Sequence, residues 1–160
     1  MKLDKVIEII LDLGGIPCYP VLLDDSKGNL TEFESDYQKL LDSLVSKNIF
    51  CVELIPGRND KDKLKEFVRF FQEHDFVITL GTEHNTPDLI PLTVDCRGHI
   101  PLDDELKQIN YDGASVIAAH QYLRAKGQQG FIDDSGKARI KDLENFRTLG
   151  NAVFNFYFNT

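Results

Sequence analysis

The sequence has few cysteines and no long apolar run. These two absences argue against a disulfide-rich protein and against a membrane-spanning one. Its three cysteines, Cys18, Cys51 and Cys96, are widely spaced and contain no C-x-x-C pair. The sequence therefore predicts neither a disulfide framework nor a cysteine zinc site, and we expect a location in the reducing cytoplasm. No apolar run approaches the length of about 18 residues that a membrane span needs, so no membrane partner is expected.

Basic residues are also in short supply. The chain has 18 lysines and arginines against 26 aspartates and glutamates, which gives a net charge of -8. This balance opposes binding to a phosphate backbone, and no basic stripe compensates for it, so we expect no nucleic-acid partner. With 160 residues, the chain is long enough for one core. We expect residues 1–160 to form a single α/β domain or the C-terminal portion of a larger β/α barrel.

Apolar periodicity predicts helices that alternate with strands. A spacing of three and four predicts helices over 3–13, around 64–71, and over about 104–126 and 139–157. A Thr31-x-x-Glu34 capping box predicts the start of another helix, ending near Asn48. Short apolar runs predict strands over 16–23, 49–56 and 76–80. The last two runs show no alternation, which is typical of parallel strands covered on both faces.

The predicted fold class is α/β, with parallel strands that alternate with helices and extra helices at the C-terminal end. Because only two or three parallel strands can be counted, the sequence is compatible with either a small three-layer domain or part of a larger barrel.

Polar residues follow each predicted strand, where ligands bind in parallel α/β folds because the loops there converge. They are Asp24 and Asp25 after the first strand, Glu53, Arg58, Asn59 and Asp60 around the second, and Glu83, His84 and Asn85 after the third. Carboxylates and a neutral imidazole are ligands that divalent metals take. The sequence therefore predicts a candidate metal site at this edge of the sheet.

Structural roles are alternatives for the same residues. Asp24, Asp25 and Asp60 could cap the helices that follow them. Glu53 lies inside an apolar run, where an unpaired carboxylate would be costly, and Arg58 could pair with it. Glu83 and His84 could belong to a hydrogen-bonded loop.

The remaining histidines give weaker signals. His120 falls on the apolar face of its predicted helix and is expected to be a hydrogen-bonded core residue. His74 lies at the end of the third predicted helix, and His99 lies in a loop beside Arg97. Cys51, inside "IFCVEL", is expected to be buried packing.

A strand with a glutamate, followed by an arginine, a helix and a strand that leads into an acid-and-histidine motif, is an arrangement of the PHP family, named for polymerase and histidinol phosphatase. Here it reads "CVELIPGRND" and "ITLGTEHNTP", within residues 49–88. The chain thus resembles the C-terminal part of PHP proteins, and a looser similarity through "YDGASVIAAHQYLRAKG" extends to residue 127.

The resemblance implies a distorted, TIM-like β/α barrel that hydrolyses a small phosphorylated substrate with metal-activated water. Glu53, Glu83 and His84 would help to hold a divalent metal (Zn, Mn or Fe), with Glu53 also in a catalytic role. Arg58 or Asn59 would contact the phosphate.

The chain departs from the family pattern in three places. Asn85 stands where the family's final histidine would be, and Tyr19-Pro20 stands where the family often has His-Pro. The N-terminal His-x-His motif that supplies the first metal ligands is absent from the sequence. We therefore expect either an enzyme portion that is inactive alone, with the metal lost from this chain, or a degenerate non-catalytic domain with a role in ligand binding or assembly.

The C-terminal aromatic stretch Phe154, Phe156, Tyr157 and Phe158 exceeds what one helical face can bury. We expect it to pack in a homodimer, or against a missing N-terminal region.

Overall fold

The fold was obtained as a computed structural model that describes residues 2–25, 27–82, 84, 87, 89 and 92–158. It is mixed α/β, with a three-stranded parallel sheet whose strands alternate with helices. The helices are α1 (Leu3–Asp12), α2 (Tyr37–Ser46), α3 (Lys61–Gln72), α4 (Asp104–Ala125) and α5 (Leu143–Phe158). The strands are β1 (Cys18–Val21), β2 (Cys51–Leu54), β3 (Val77–Leu80), β4 (Asp95–Cys96) and β5 (Ile100–Pro101).

The parallel sheet has the order β1-β2-β3, and β4 and β5 form a separate antiparallel pair. Its register places Cys18 beside Cys51, which in turn lies beside Val77. The prediction of parallel strands alternating with helices is confirmed. The described strands do not close into a barrel.

The two faces of the sheet are covered unequally. The first face carries Val52, Leu54 and Ile78, and it packs under α2 and α3 in the larger apolar cluster. The second face carries Cys18, Pro20, Cys51, Glu53, Val77 and Thr79, as the alternation along paired strands requires.

Only the amino-terminal half of the second face is buried. There, Cys51 and Val77 pack against side chains of α4, α5 and the segment around Phe131. Further along the same face, Pro20 and Glu53 are exposed and Thr79 is half-buried. The prediction that β2 is covered on both faces is therefore wrong for its carboxyl half, because α4 and α5 cross the sheet nearer its amino edge.

Side chains cap both outer edges of the sheet. On the β3 side, Asn110 of α4 accepts a hydrogen bond from the Leu80 N–H at 2.8 Å. On the β1 side, the Glu34 carboxylate accepts from the Leu22 N–H at 3.4 Å. Pro20 has no N–H to offer, which suits an edge strand. The backbone donors of Leu80 and Leu22 thus bond to side chains and not to further strands.

The close approach of α4 to β3 depends on a glycine. A Cβ added to Gly113 would overlap the Ile78 carbonyl oxygen, so only glycine allows the helix to lie against the strand backbone. A similar approach joins α5 to α4, where a Cβ added to Gly150 would overlap the Ser115 carbonyl oxygen. These contacts fix α4 in the place beside β3 where a fourth strand would pair.

The capping-box prediction is wrong. Helix α2 begins at Tyr37 with Asp36 as its N-cap, and the Asp36 carboxylate accepts from the Lys39 N–H. Thr31 Oγ1 does accept from the Glu34 N–H at 3.3 Å, but within a turn. Glu34 is then free to point inward, where it also accepts a hydrogen bond from the Tyr19 hydroxyl. Burial and the Glu34 charge raise the pKa of Tyr19 to about 12.

The C-terminal aromatics lie on the surface of α5. Phe156, Tyr157 and Phe158 are 62–79% exposed, whereas Phe154 packs against Tyr111 of α4 with ring centroids 5.6 Å apart. In the described part of the chain, no helix combines the length and apolar character that crossing a membrane requires.

Candidate functional site

A cavity of about 360 Å³ lies at the carboxyl ends of β2 and β3. Its floor is the pair of loops that leave these strands, and its far wall is the β4–β5 hairpin. The lining residues that bear side-chain donors or charges are Arg58, Thr82, Thr93, Asp95, Cys96 and His99. A cavity at this edge of a parallel sheet is the usual place for a ligand.

Glu53 lies on the uncovered half of the second face, close to this cavity. It is paired in register between Pro20 and Thr79, and its Oε1 is so near Gly81 that a Cβ added there would lie 3.3 Å from it. The expectation of a buried carboxylate is wrong, because Glu53 is exposed and no helix of the described part of the chain covers it. Glu53 is therefore a solvent-accessible carboxylate beside the first residue after β3.

Arg58 closes the 3-10 turn Pro56–Arg58 that follows β2. Its side chain is exposed and lines the cavity, while its carbonyl oxygen accepts a hydrogen bond from the Arg97 guanidinium. Arg97 also donates to the buried Asp24 carboxylate at 3.0 Å and to the Asp25 carbonyl at 2.8 Å. The hairpin that carries Arg97 is thus tied to the ends of β1 and β2.

Asn59 connects the ends of β1 and β2 and does not line the cavity. It is 1% exposed, and its Nδ2 donates to the Leu22 carbonyl at 2.8 Å and to Asp24 Oδ1 at 3.0 Å. Its burial keeps the amide away from a ligand in solution. A role in positioning the loops fits this geometry better than phosphate contact.

The aspartates after the strands divide between the alternatives that the sequence left open. Asp60 is the N-cap of α3, as predicted, and accepts from the Asp62 and Lys63 N–H groups.

Asp24 and Asp25 cap no helix. The buried Asp24 carboxylate forms an ion pair with the half-buried Arg97. Asp25 accepts from the Lys27 and Asn29 N–H groups in a turn.

The loop after β3 begins with a contact between Thr82 and His84. Thr82 Oγ1 and His84 Nε2 lie 2.9 Å apart, and the His84 side chain is exposed. Glu83 and Asn85 lie outside the described residues. The predicted grouping of Glu53, Glu83 and His84 as metal ligands therefore stays a prediction.

A metal would need more ligands than the described residues bring together. Among residues 2–25, 27–82, 84, 87, 89 and 92–158, no group of three or more histidine, cysteine, aspartate or glutamate side chains could hold an ion. Glu53 and His84 are suitable donors by type, but two donors leave a catalytic divalent site short of its usual three protein ligands. The described residues thus do not fit a complete metal centre.

Sequence reasoning missed the hairpin wall of the cavity. The strands β4 and β5 have two residues each, too few for a periodic signal. Gly98 in the connecting turn has φ +77° and His99 has φ +58°, so "RGH" is a left-handed turn that could have marked a hairpin. His99, noted only as a loop residue, lines the cavity.

Near the amino ends of the parallel strands, away from the cavity, His120 is a core residue, as predicted. It is 4% exposed; its Nε2 lies 2.9 Å from the Gly14 carbonyl, and its Nδ1 accepts from the Ile132 N–H at 3.4 Å. Both ring nitrogens are thus satisfied in the neutral form. Burial, aided by the nearby Arg124 charge, lowers the pKa of His120.

Comparisons of the chain with protein-family models, with curated proteins and with solved structures gave no match.

Proposed function

We propose that the carboxyl edge of this sheet binds a small phosphate-bearing ligand, as one side of a PHP-like metal-dependent phosphoesterase site that is inactive in this chain alone. The observation that carries the proposal is that an exposed carboxylate and an exposed arginine lie at the same strand-end cavity. Glu53 borders it at Gly81, and Arg58 lines it.

Arg58 is the residue that would contact the phosphate. A guanidinium presents several N–H donors in a planar fork that matches the oxygens of a phosphate. His99 and the hydroxyls of Thr82 and Thr93 line the same cavity and supply further donors. Asp95, also in the lining, disfavours an anion near its own carboxylate, so we place the phosphate on the Arg58 side.

A divalent metal, where bound, would supply the activated water of a phosphoesterase. The described residues do not complete a metal set, and we therefore derive no hydrolytic step for this chain. Glu53, with Glu83 and His84 as predicted from the sequence, would form one side of that set. The remaining ligands would have to come from another segment.

The proposal is tested by calorimetric titration of the purified chain with inorganic phosphate. We expect Arg58→Gln to weaken phosphate binding by about tenfold or more, the size of a lost charge-assisted hydrogen bond. Arg124→Gln is the matched control, because Arg124 lies near Gly14 at the opposite edge of the sheet. Equal affinities for the wild type and Arg58→Gln would refute the phosphate site.

The enzymatic half of the proposal has its own test. With added manganese or zinc, the chain alone should show no turnover of p-nitrophenyl phosphate. Turnover that disappears in Glu53→Gln but persists in Glu73→Gln would contradict the predicted inactivity and establish a complete site. Glu73 is a suitable control because it is exposed at the end of α3, near the amino edge of the sheet.

The capped edges of the sheet favour a second candidate, a non-catalytic ligand-binding domain. Glu34 and Asn110 each accept a hydrogen bond from one outward-facing backbone N–H, at opposite sides of the sheet, which hinders pairing with a further strand at those positions. In this case phosphate binds without any effect of metal on its affinity. A metal-dependent gain in affinity would instead favour the phosphoesterase.

A further inference from the structure

Two of the three cysteines are direct neighbours across the sheet. Cys18 of β1 and Cys51 of β2 are partners in the parallel register, so their side chains point to the same face. The neighbouring Cys18 thiol, together with burial, raises the pKa of Cys51. No local pattern in the sequence indicates this pairing, because the two residues lie far apart along the chain.

The strand geometry brings the two residues within range of a disulfide. Neighbouring strands lie about 4.8 Å apart, and disulfide-bonded cysteines have Cα atoms about 4.4–6.8 Å apart. Parallel partners hold their Cβ atoms at about the strand spacing, slightly wider than a disulfide prefers. A bond between them therefore needs a small local approach of β1 to β2, and the resulting strain makes it easy to reduce.

The two thiols differ in access. Cys51 is 2% exposed and belongs to the apolar cluster on the second face, whereas Cys18 is only half-buried at the margin of that cluster. An oxidant from solution therefore meets Cys18 first. Cys51 is placed as the partner that attacks second.

We propose that Cys18 and Cys51 form a reversible oxidation site that a hydroperoxide converts to a disulfide between β1 and β2. The Cys18 sulfur attacks a peroxide oxygen, the O–O bond breaks, and the departing alkoxide takes a proton to leave as an alcohol. Cys18 is then a sulfenic acid. The Cys51 sulfur attacks the Cys18 sulfur and expels hydroxide, which combines with the Cys51 proton as water.

The net change is two thiols and one hydroperoxide to one disulfide, one alcohol and one water. The proposal does not depend on what the carboxyl edge binds. It differs from ordinary thiol damage because the second thiol stops oxidation at the reversible stage.

The test is thiol counting by mass spectrometry after treatment with hydrogen peroxide, denaturation and alkylation. The untreated chain should take three alkyl groups, one for each free cysteine. The treated chain should take one, and its mass should be lower by two hydrogens before alkylation. Dithiothreitol or glutathione should restore all three thiols.

Cys96 supplies the matched control, since it is also buried but lies on β4. Cys96→Ser should still lose two thiols, and Cys18→Ser should lose none to an internal disulfide. Because Cys18 is only half-buried, Cys18→Ser should fold, and circular dichroism checks this. The proposal is overturned if the wild type keeps three thiols, proceeds to sulfinic acid at Cys18, or forms only disulfides between chains.

Discussion

Replacing Gly113 with alanine should destabilise the protein, although the same change in an ordinary helix stabilises it by about 1 kcal/mol. A Cβ at Gly113 would overlap the Ile78 carbonyl oxygen, so α4 has to retreat from β3 by on the order of 1 Å. The Asn110–Leu80 hydrogen bond, 2.8 Å long, would then exceed hydrogen-bond range.

The expected magnitude follows from these losses. Leaving the buried Leu80 N–H without its partner costs about 1–3 kcal/mol. Disturbed packing of Ile109 and Val116, both buried on α4, adds about 1–3 kcal/mol. After subtraction of the helix-propensity gain of about 1 kcal/mol, the net loss is about 1–5 kcal/mol.

Urea denaturation followed by circular dichroism measures this loss, and the corresponding fall in Tm is about 2–4 °C per kcal/mol for a chain of this size. Gln121→Ala on the exposed side of α4 is the control and should change stability by less than about 0.5 kcal/mol. A Gly113→Ala protein that is as stable as the wild type, or more stable, would refute the close contact between α4 and the backbone of β3.

Two further predictions concern the buried polar contacts. Asn110→Ala should lower the free energy of unfolding, measured by urea denaturation, by about 1–3 kcal/mol. Asn110→Asp keeps an acceptor for the Leu80 N–H and should lower it less. Equal losses in the two variants would show that this hydrogen bond does not stabilise the β3 edge of the sheet. Because the folded pKa of His120 is lowered, its contribution to stability is complete above the unfolded value of about 6.5 and is lost as the pH falls from there towards the folded pKa. The urea midpoint of the wild type should therefore fall between pH 7 and pH 5 more than that of His120→Gln, and equal falls would contradict a neutral buried imidazole.

The positions of the parallel strands and of most helices could be predicted from local pattern. Runs such as "FVITL" are apolar and β-branched, and Gly14-Gly15 ends the first apolar helix. These signals depend only on residues close in the chain. The three parallel strands accordingly lie inside their predicted ranges.

Glu34 shows why local pattern failed at the second helix. Its capping-box spacing from Thr31 is intact, but its carboxylate instead accepts from the Tyr19 hydroxyl and the Leu22 N–H. Those contacts join residues 12–15 positions apart, and they give Glu34 two hydrogen bonds in place of the single one that a capping-box glutamate makes. No local pattern reveals such a partner.

Glu53 shows the same limit for the candidate site. Its strand and its place at the carboxyl edge follow from the sequence, but its exposure depends on where α4 and α5 cross the second face. That crossing is set by Gly113 and Gly150, which bring the helices against backbone carbonyls of Ile78 and Ser115. The sequence therefore predicted the edge of the site but not which of its side chains solvent reaches.

The two lateral edges of the sheet, beside β1 and beside β3, limit where a further segment could bind to complete the proposed site. Asn110 and Glu34 occupy edge donors on both sides, and α4 fills the place beside β3, so addition of a strand at β3 would require the helix to leave. On the second face, Pro20 and Glu53 are exposed, and no helix or strand of the described residues covers them. A segment or partner that completes the proposed metal site by adding ligands to that of Glu53 should therefore pack across this face and not extend the sheet.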